Sequence, residues 1–347
     1  MPRFFLTFLG LLTALLVSSC SLYDNDHAHD EGHQDDEQTR KTVIIETLAE
    51  DEQITVVASF YPPTFLAERV GGEHVDVVNL AQSQDPHHYN PSPQDIVAMH
   101  KADLVVLQGA GMEPWSEGIM SQLAAKGVPV LVLNDHLTLR EASGHDDEHE
   151  EHEDGHDDHH EEDHAEENAE HRHDHGAYDP HSWLDPDLAT VMTTEIRDTL
   201  KQIAPQHATD FDRHAADLTE QFADLNTSYR QGLSSCAHDE IIVAHNAYGY
   251  LADRYGFETH AILGLSTDDE PSAQTLTELK AEAKHGATHL IVEENSSRRY
   301  AEVIARETGL EMLLLNPLGH GTLDPQKDFF DIMEDNLANL ATALQCQ

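Results

Sequence analysis

The stretch Ile54-Thr55-Val56-Val57-Ala58-Ser59-Phe60-Tyr61-Pro62-Pro63 sets the architecture of the chain. Its first five residues are short, apolar and rich in β-branched side chains, which fits a buried strand. Ser59 to Pro63 read as a loop, and beyond it Leu66 and Val70 keep a helical spacing that stops at Gly71-Gly72. Strand, loop and helix then recur. Further strands are expected over 75–80, 103–107 and 130–133, with helices over 92–100 and 113–126, and a helix over 188–203 follows later. The pattern restarts with strands over 241–244, 259–263, 289–293 and 312–315, separated by helices through Tyr250 and Tyr255, over 272–284 and over 299–308, and closed by a helix over 329–344. Such alternation predicts an α/β fold of two lobes, each with a mostly parallel four-stranded sheet flanked by helices. Between the two runs, Phe211, Leu218, Phe222, Leu225 and Tyr229 recur at spacings of three, four and seven, so 206–233 reads as one long helix joining lobes at 53–205 and 234–347 across a cleft.

The bulk numbers bound the partners. At 347 residues and 39% hydrophobic content the chain can bury a real core in two domains, and its net charge of -47 excludes nucleic acid and anionic membrane surfaces as natural counterparts. Cations remain. The acid is unevenly spread: residues 145–175 hold sixteen Asp/Glu against a single Arg172, inside a low-complexity insert at 144–176. Ten histidines are interleaved there, His145, His149, His152, His156, His159, His160, His164, His171, His173 and His175. They suit a flexible, low-affinity zinc collector without prearranged sites, the plain alternative being a solvated acidic linker.

The three cysteines read one by one. Cys20 ends Leu16-Val17-Ser18-Ser19-Cys20 after an apolar run from Phe4 that is too short to span a bilayer and has the length of a signal-peptide core. Small residues before a cysteine resemble the bacterial lipobox, which implies a signal peptide at 1–19, a lipidated Cys20 and an acidic tether at 20–52; a plain signal peptide with an incidental cysteine is the alternative. Either way the mature chain leaves the cytoplasm. Cys236 and Cys346 have no CxxC spacing, and in an oxidising compartment a disulfide between them is favoured over metal binding.

Two near copies of one motif carry the chemistry: Asp85-Pro86-His87-His88-Tyr89 and Asp179-Pro180-His181-Ser182-Trp183. Proline fixes its own φ and biases the residue before it toward extended backbone, so each histidine is presented from a restricted loop. In the second half, His245 ends Ile241-Ile242-Val243-Ala244-His245, and Glu293 ends Leu290-Ile291-Val292-Glu293. Ligands in open α/β sheets sit beyond the carboxyl ends of strands, so His87, His181, His245 and Glu293 are expected at four strand ends, two in each lobe. Three imidazoles and one carboxylate make a tetrahedral set suited to Zn²⁺.

These residues resemble the metal-specific solute-binding lipoproteins of bacterial ABC importers, in the zinc and manganese group. The resemblance runs from about Gln53 to the C-terminus and includes Ser59-Phe60-Tyr61-Pro62, Pro86-His87-His88-Tyr89, Pro180-His181-Ser182-Trp183-Leu184, His245-Asn246-Ala247-Tyr248-Gly249-Tyr250-Leu251, Glu293-Glu294-Asn295-Ser296-Ser297 and Leu315-Asn316-Pro317-Leu318. It implies metal in the interlobe cleft, held by His87, His181, His245 and Glu293, and delivery to a membrane permease driven by a cytoplasmic ATPase. It further implies a monomer, lipid-anchored outside the cytoplasm, and no enzyme activity. His245 stands where manganese-type members resemble Glu, and a His/acid insert is usual in the zinc type, so the cargo read here is Zn²⁺, with Mn²⁺ or Fe²⁺ as the alternative. Gly319-His320-Gly321 departs from the family's usual Glu-Gly after Asn316-Pro317-Leu318, and some zinc members replace the fourth protein ligand by water. A cysteine pair seen in several members matches Cys236 and Cys346. From other classes, a surface zinc buffer or adhesin and a zinc hydrolase remain open, the hydrolase requiring an open metal position.

Overall fold

The computed structural model describes residues 53–82, 84–142, 177–265, 273–283, 287–293, 299–321 and 324–347. Cys20, the tether, the insert histidines His145 to His175 and the residues that follow Glu293 in its motif lie outside the described residues. The first sheet contains β1 (Ile54–Ala58), β2 (Val75–Asn79), β3 (Leu104–Leu107) and β4 (Val130–Val132). The second contains β5 (Glu240–His245), β6 (Glu258–Leu263), β7 (His289–Val292) and β8 (Glu311–Leu314). Every pairing is parallel, and the orders β2-β1-β3-β4 and β6-β5-β7-β8 are the same winding used twice. The direction of winding reverses between β1 and β3 and between β5 and β7, and crevices open at such points beyond the strand ends.

Helices α1 (Tyr61–Gly71), α2 (Pro93–Met99), α3 (Ser116–Lys126) and α4 (Pro186–Ile203) flank the first sheet, and α5 (Ala208–Gly232) is the long helix. Helix α1 starts earlier than expected, at Tyr61, because Pro62 and Pro63 fall in the first turn, where a missing N–H costs nothing. Helix α3 starts three residues later than expected, because the Glu113 carboxylate is taken by the backbone N–H groups of Gln108 and Gly109, both at 2.9 Å. The second sheet is flanked by α6 (Gly249–Tyr255), α7 (Ala273–Glu282), α8 (Arg299–Thr308) and α9 (Phe329–Ala343).

One apolar core runs through both lobes, and among the described residues a second, around Ile242, Ile262, Leu290 and Ile304, lies within the second lobe. Phe211, Leu218, Phe222, Leu225 and Tyr229 along α5 are all buried, as the spacing requires. Phe222 lies edge-on to Phe329 of α9, and Phe329 stacks on Phe65 of α1 at 5.1 Å. The final helix therefore stays on the second sheet, where Asn339 donates to the Leu314 carbonyl at the end of β8, and carries its aromatic start onto the first lobe. Aromatic pairs of this kind add about 0.5–1.5 kcal/mol each beyond their buried area. Cys236 and Cys346 form a disulfide that closes 110 residues and ties the last turn of chain to the exit of α5.

Candidate metal centre

His245 is the last residue of β5 and Glu293 directly follows β7, so both stand at the second sheet's switch point, as expected. His87 and His181 do not end strands. Seven residues separate β2 from His87, and His181 enters a short 3-10 turn, Ser182–Leu184, ahead of α4. What aims them is the acid two residues upstream. Asp85 Oδ1 accepts the His87 backbone N–H at 3.0 Å, and Asp179 Oδ1 accepts that of His181 at 3.0 Å. The repeated Asp-Pro-His thus folds into the same Asx-type turn twice. The copies differ in the ring. Asp179 Oδ1 also takes His181 Nδ1 at 2.8 Å, whereas Asp85 turns its second oxygen to His88 Nδ1 at 3.0 Å.

His181 rests on a buried polar network that sequence reading missed. Gln108, the residue after β3, donates through Nε2 to Asn134 Oδ1 at 2.9 Å, to Ser182 Oγ at 3.0 Å and to the Pro180 carbonyl at 3.4 Å. Asn134 Nδ2 reaches the same carbonyl at 3.3 Å. Glu113 fixes the backbone at Gln108 and Gly109 in turn, and burial raises its own pKa. Asp179 was the legible member, since an acid at a fixed short distance before a candidate ligand is a sequence feature; Asn134 and Gln108 reach Pro180 and Ser182, on either side of His181, across 46 to 74 positions.

The three rings form a near-equilateral triangle, with centroids 5.2 Å (His87–His181), 5.3 Å (His87–His245) and 5.0 Å (His181–His245) apart. One ring nitrogen from each lies within 4.8 Å of the others. His87 Nε2 and His181 Nε2 are 3.2 Å apart. A tetrahedral ion with bonds of about 2.0 Å separates its donors by roughly 3.3 Å, so this pair already stands on one edge of a zinc tetrahedron. Among the described residues a second group with converging donor atoms is Glu240, Glu258 and His260, at the opposite end of β5 and β6.

Protonation differs sharply around the triangle. His181 Nδ1 donates to Asp179, which leaves its Nε2 lone pair facing the cleft. Burial lowers the pKa of His181 despite Asp179, and burial together with the neighbouring imidazoles holds His87 well below the ordinary range. Both are neutral donors at neutral pH. His245 is the opposite case: its Nδ1 meets Glu293 Oε1 at 2.9 Å and its Nε2 meets the Leu265 carbonyl at 2.8 Å. Both partners only accept, so both ring nitrogens carry protons. Burial opposes the charge, but the Glu293 carboxylate and the Leu265 carbonyl outweigh it and push the pKa up to about 9. His245 must therefore surrender a proton and leave one partner before it can ligate.

The cavity between these groups holds about 10 Å³ and is lined by Pro86, His87, His181, Trp183, His245, Glu293, Pro317, Gly319 and His320. That is room for roughly one water-sized sphere. Several contacts cross from one lobe to the other around it. Trp183 Nε1 donates to the Pro317 carbonyl at 2.8 Å, Tyr250 Oη donates to the Asp179 carbonyl at 2.8 Å, and Arg254 grips Asp185 and Asp187 at the start of α4.

The profile of the family described as "Zinc-uptake complex component A periplasmic" matches residues 56–343. Among curated relatives, the zinc-binding protein AdcA of Streptococcus pyogenes serotype M3 is 33% identical over 300 residues, covering 85% of this chain and 56% of that protein. The chain thus spans little more than half the length of that relative. The high-affinity zinc uptake system protein ZnuA of Bacillus subtilis is 31% identical over 299 residues, covering 84% of this chain and 88% of its own length. Among solved structures, Zn(II)-bound AdcA of Streptococcus pneumoniae superposes with a TM-score of 0.67 at 28% identity, covering 85% of this chain and 58% of that one. The laminin-binding protein Lmb of Streptococcus agalactiae, described as bifunctional with adhesin and metal transporting activity, reaches 0.71 at 25% identity, covering 84% of this chain and all of that one.

Proposed function

Because this chain belongs to the family of zinc-uptake complex component A, we propose that it is an extracytoplasmic receptor that captures Zn²⁺ in the interlobe cleft and delivers it to an ABC-type permease powered by a cytoplasmic ATPase. Zinc is cargo here, and the ligands are His87, His181, His245 and Glu293. The observation that carries this reading is the triangle of imidazoles from both lobes, with two donors at tetrahedral spacing in a cavity the size of one small sphere. Three nitrogens and one carboxylate oxygen favour zinc over manganese, whose sites are built from harder oxygen donors. A cavity of about 10 Å³ also leaves no space for a hydrolase substrate beside the metal.

In this proposal Cys20 is diacylated and anchors the chain to the outer face of a membrane, since two acyl chains give stable attachment where one does not. The insert histidines from His145 to His175 collect zinc weakly, and the chain works as a monomer. The experiment is a competition titration of zinc against a chromophoric chelator, read by the fluorescence of Trp183, whose ring lies 5.2 Å from that of His181 and so reports the cleft rather than the insert. His181→Ala and His245→Ala should each weaken the site by more than a hundredfold, because loss of an outer-shell partner alone costs about 10- to 100-fold. Wild-type affinity in either variant would remove the assignment.

A further inference from the structure

His320 sits on the loop that follows β8, and the structure fixes that loop unusually firmly for a connection. Asn336 of α9 accepts the Asn316 backbone N–H at 2.8 Å and donates to the Asn316 carbonyl at 2.7 Å. Asn316 itself accepts from the Leu318 N–H at 2.7 Å and donates to the Gly321 carbonyl at 3.1 Å. Leu318 is fully buried at a φ of +65°, a conformation a leucine keeps only where its surroundings enforce it. The glycines on either side of His320 mark where the loop presses on the other lobe: a Cβ on Gly319 would stand 3.3 Å from Pro86, and one on Gly321, at a φ of +72°, 3.3 Å from Tyr61. His320 is therefore held in the cavity wall that also includes His87, and both residues are only partly buried, unlike His181, His245 and Glu293.

Zinc reaches this wall hydrated, but the cavity behind it has room for about one water-sized sphere. The hydration shell must be shed at the mouth. The four ligands inside complete a tetrahedron, so a further imidazole there has no place in the loaded state. It has a place in the passage. We propose that His320 is an exchange ligand: its imidazole binds the partly dehydrated ion at the mouth, replaces lost water, and passes the ion to His87 on loading and receives it on release. This inference rests on the cleft being the zinc site. A group that binds only during passage lowers the barrier equally in both directions and leaves the equilibrium unchanged.

The test uses the full chain in stopped-flow, following Trp183 fluorescence during zinc loading and during release into excess chelator. In His320→Ala both rate constants should fall about tenfold, equivalent to about 1.4 kcal/mol of barrier, while the Kd stays within about twofold. An unchanged melting temperature in His320→Ala and in His320→Asn controls for the loop. Unchanged rates in both variants overturn the proposal. A Kd weakened tenfold with an unchanged loading rate also overturns it, since His320 would then be an equilibrium ligand. If His181→Ala loads zinc like wild type, the cleft reading fails; if His181→Ala abolishes loading and His320→Ala is kinetically silent, only the exchange role fails.

Discussion

His245 gives the sharpest prediction, because zinc and a proton compete for it. Held between Glu293 and the Leu265 carbonyl, it has a pKa pushed up to about 9, while His87 and His181 are lowered and already neutral. Zinc affinity should therefore rise with pH through the displacement of this one proton. The neutral fraction of a group with pKa about 9 grows roughly thirtyfold between pH 6.5 and 8, against about twofold for an ordinary imidazole at 6.5. At pH 8 zinc binding should release about 0.9 proton from His245, whereas a histidine at the ordinary imidazole value releases about 0.03. Calorimetry at pH 8 in buffers of different ionisation enthalpy counts these protons directly. Glu293→Gln removes the carboxylate, leaves burial to dominate, and should abolish the release. The sign for the metal-free protein runs the other way: a folded pKa raised above 6.5 contributes stability that is complete below pH 6.5 and is lost as pH climbs through about 9. Release of fewer than about 0.3 proton at pH 8, or only a twofold change in affinity between pH 6.5 and 8, would refute the clasp.

Two further predictions follow from the supporting structure. Asp179→Asn keeps the Asx-type turn but weakens the charge-assisted bond to His181 Nδ1, so zinc affinity should fall about 10- to 100-fold with little change in fold, as measured by competition titration and circular dichroism; an unchanged affinity would mean that the Gln108, Asn134 and Ser182 network alone orients the ring. Replacing both Cys236 and Cys346 by serine should cost about 2–5 kcal/mol in denaturant unfolding, since the bridge closes 110 residues, and should leave zinc affinity unchanged, because neither cysteine lines the cavity.

Much of this was legible because period and composition carry it. The β-branched runs are strands, buried along β1, β3 and β5, and the apolar stripe of α5 faces the core at each position that its spacing selects. His245 was legible for the same reason: a polar residue ending a fully apolar strand can only emerge at the strand's carboxyl end, and topology puts that end at the switch point. His87 and His181 were found by motif and misplaced by topology, because a restricted X-Pro-His loop says how a histidine is presented without saying how far from a strand it stands. Glu113 was read as helical, since a carboxylate next to a helix looks the same in sequence whether it starts the helix or binds the loop before it. The Leu265 carbonyl was beyond reach altogether. A backbone acceptor has no residue identity, yet it helps Glu293 hold the second proton on the His245 ring.

That acceptor also bears on how capture is tied to the rest of the fold. Two donors from the first lobe are neutral and correctly spaced, and the second lobe's donor is charged and turned to its own partners. An arriving cation repels the protonated ring and is attracted to Glu293, so its approach favours the loss of the His245 proton that frees the third lone pair. The step needs rotation of a side chain and loss of a proton, not a wide separation of the lobes. The contacts between the lobes agree with a restricted movement: Trp183 to Pro317, Tyr250 to Asp179 and Arg254 to Asp185 all cross within a few residues of His181, and α9 packs its aromatic start on α1. Opening the lobes far enough to hydrate the ion in place would break all of these together and expose Phe65, Phe329 and Phe330. The proposed exchange through a wall lined by His87 and His320 asks for none of that, so under the proposed function the chemistry of the ring nitrogens, rather than a hinge, sets the order of events.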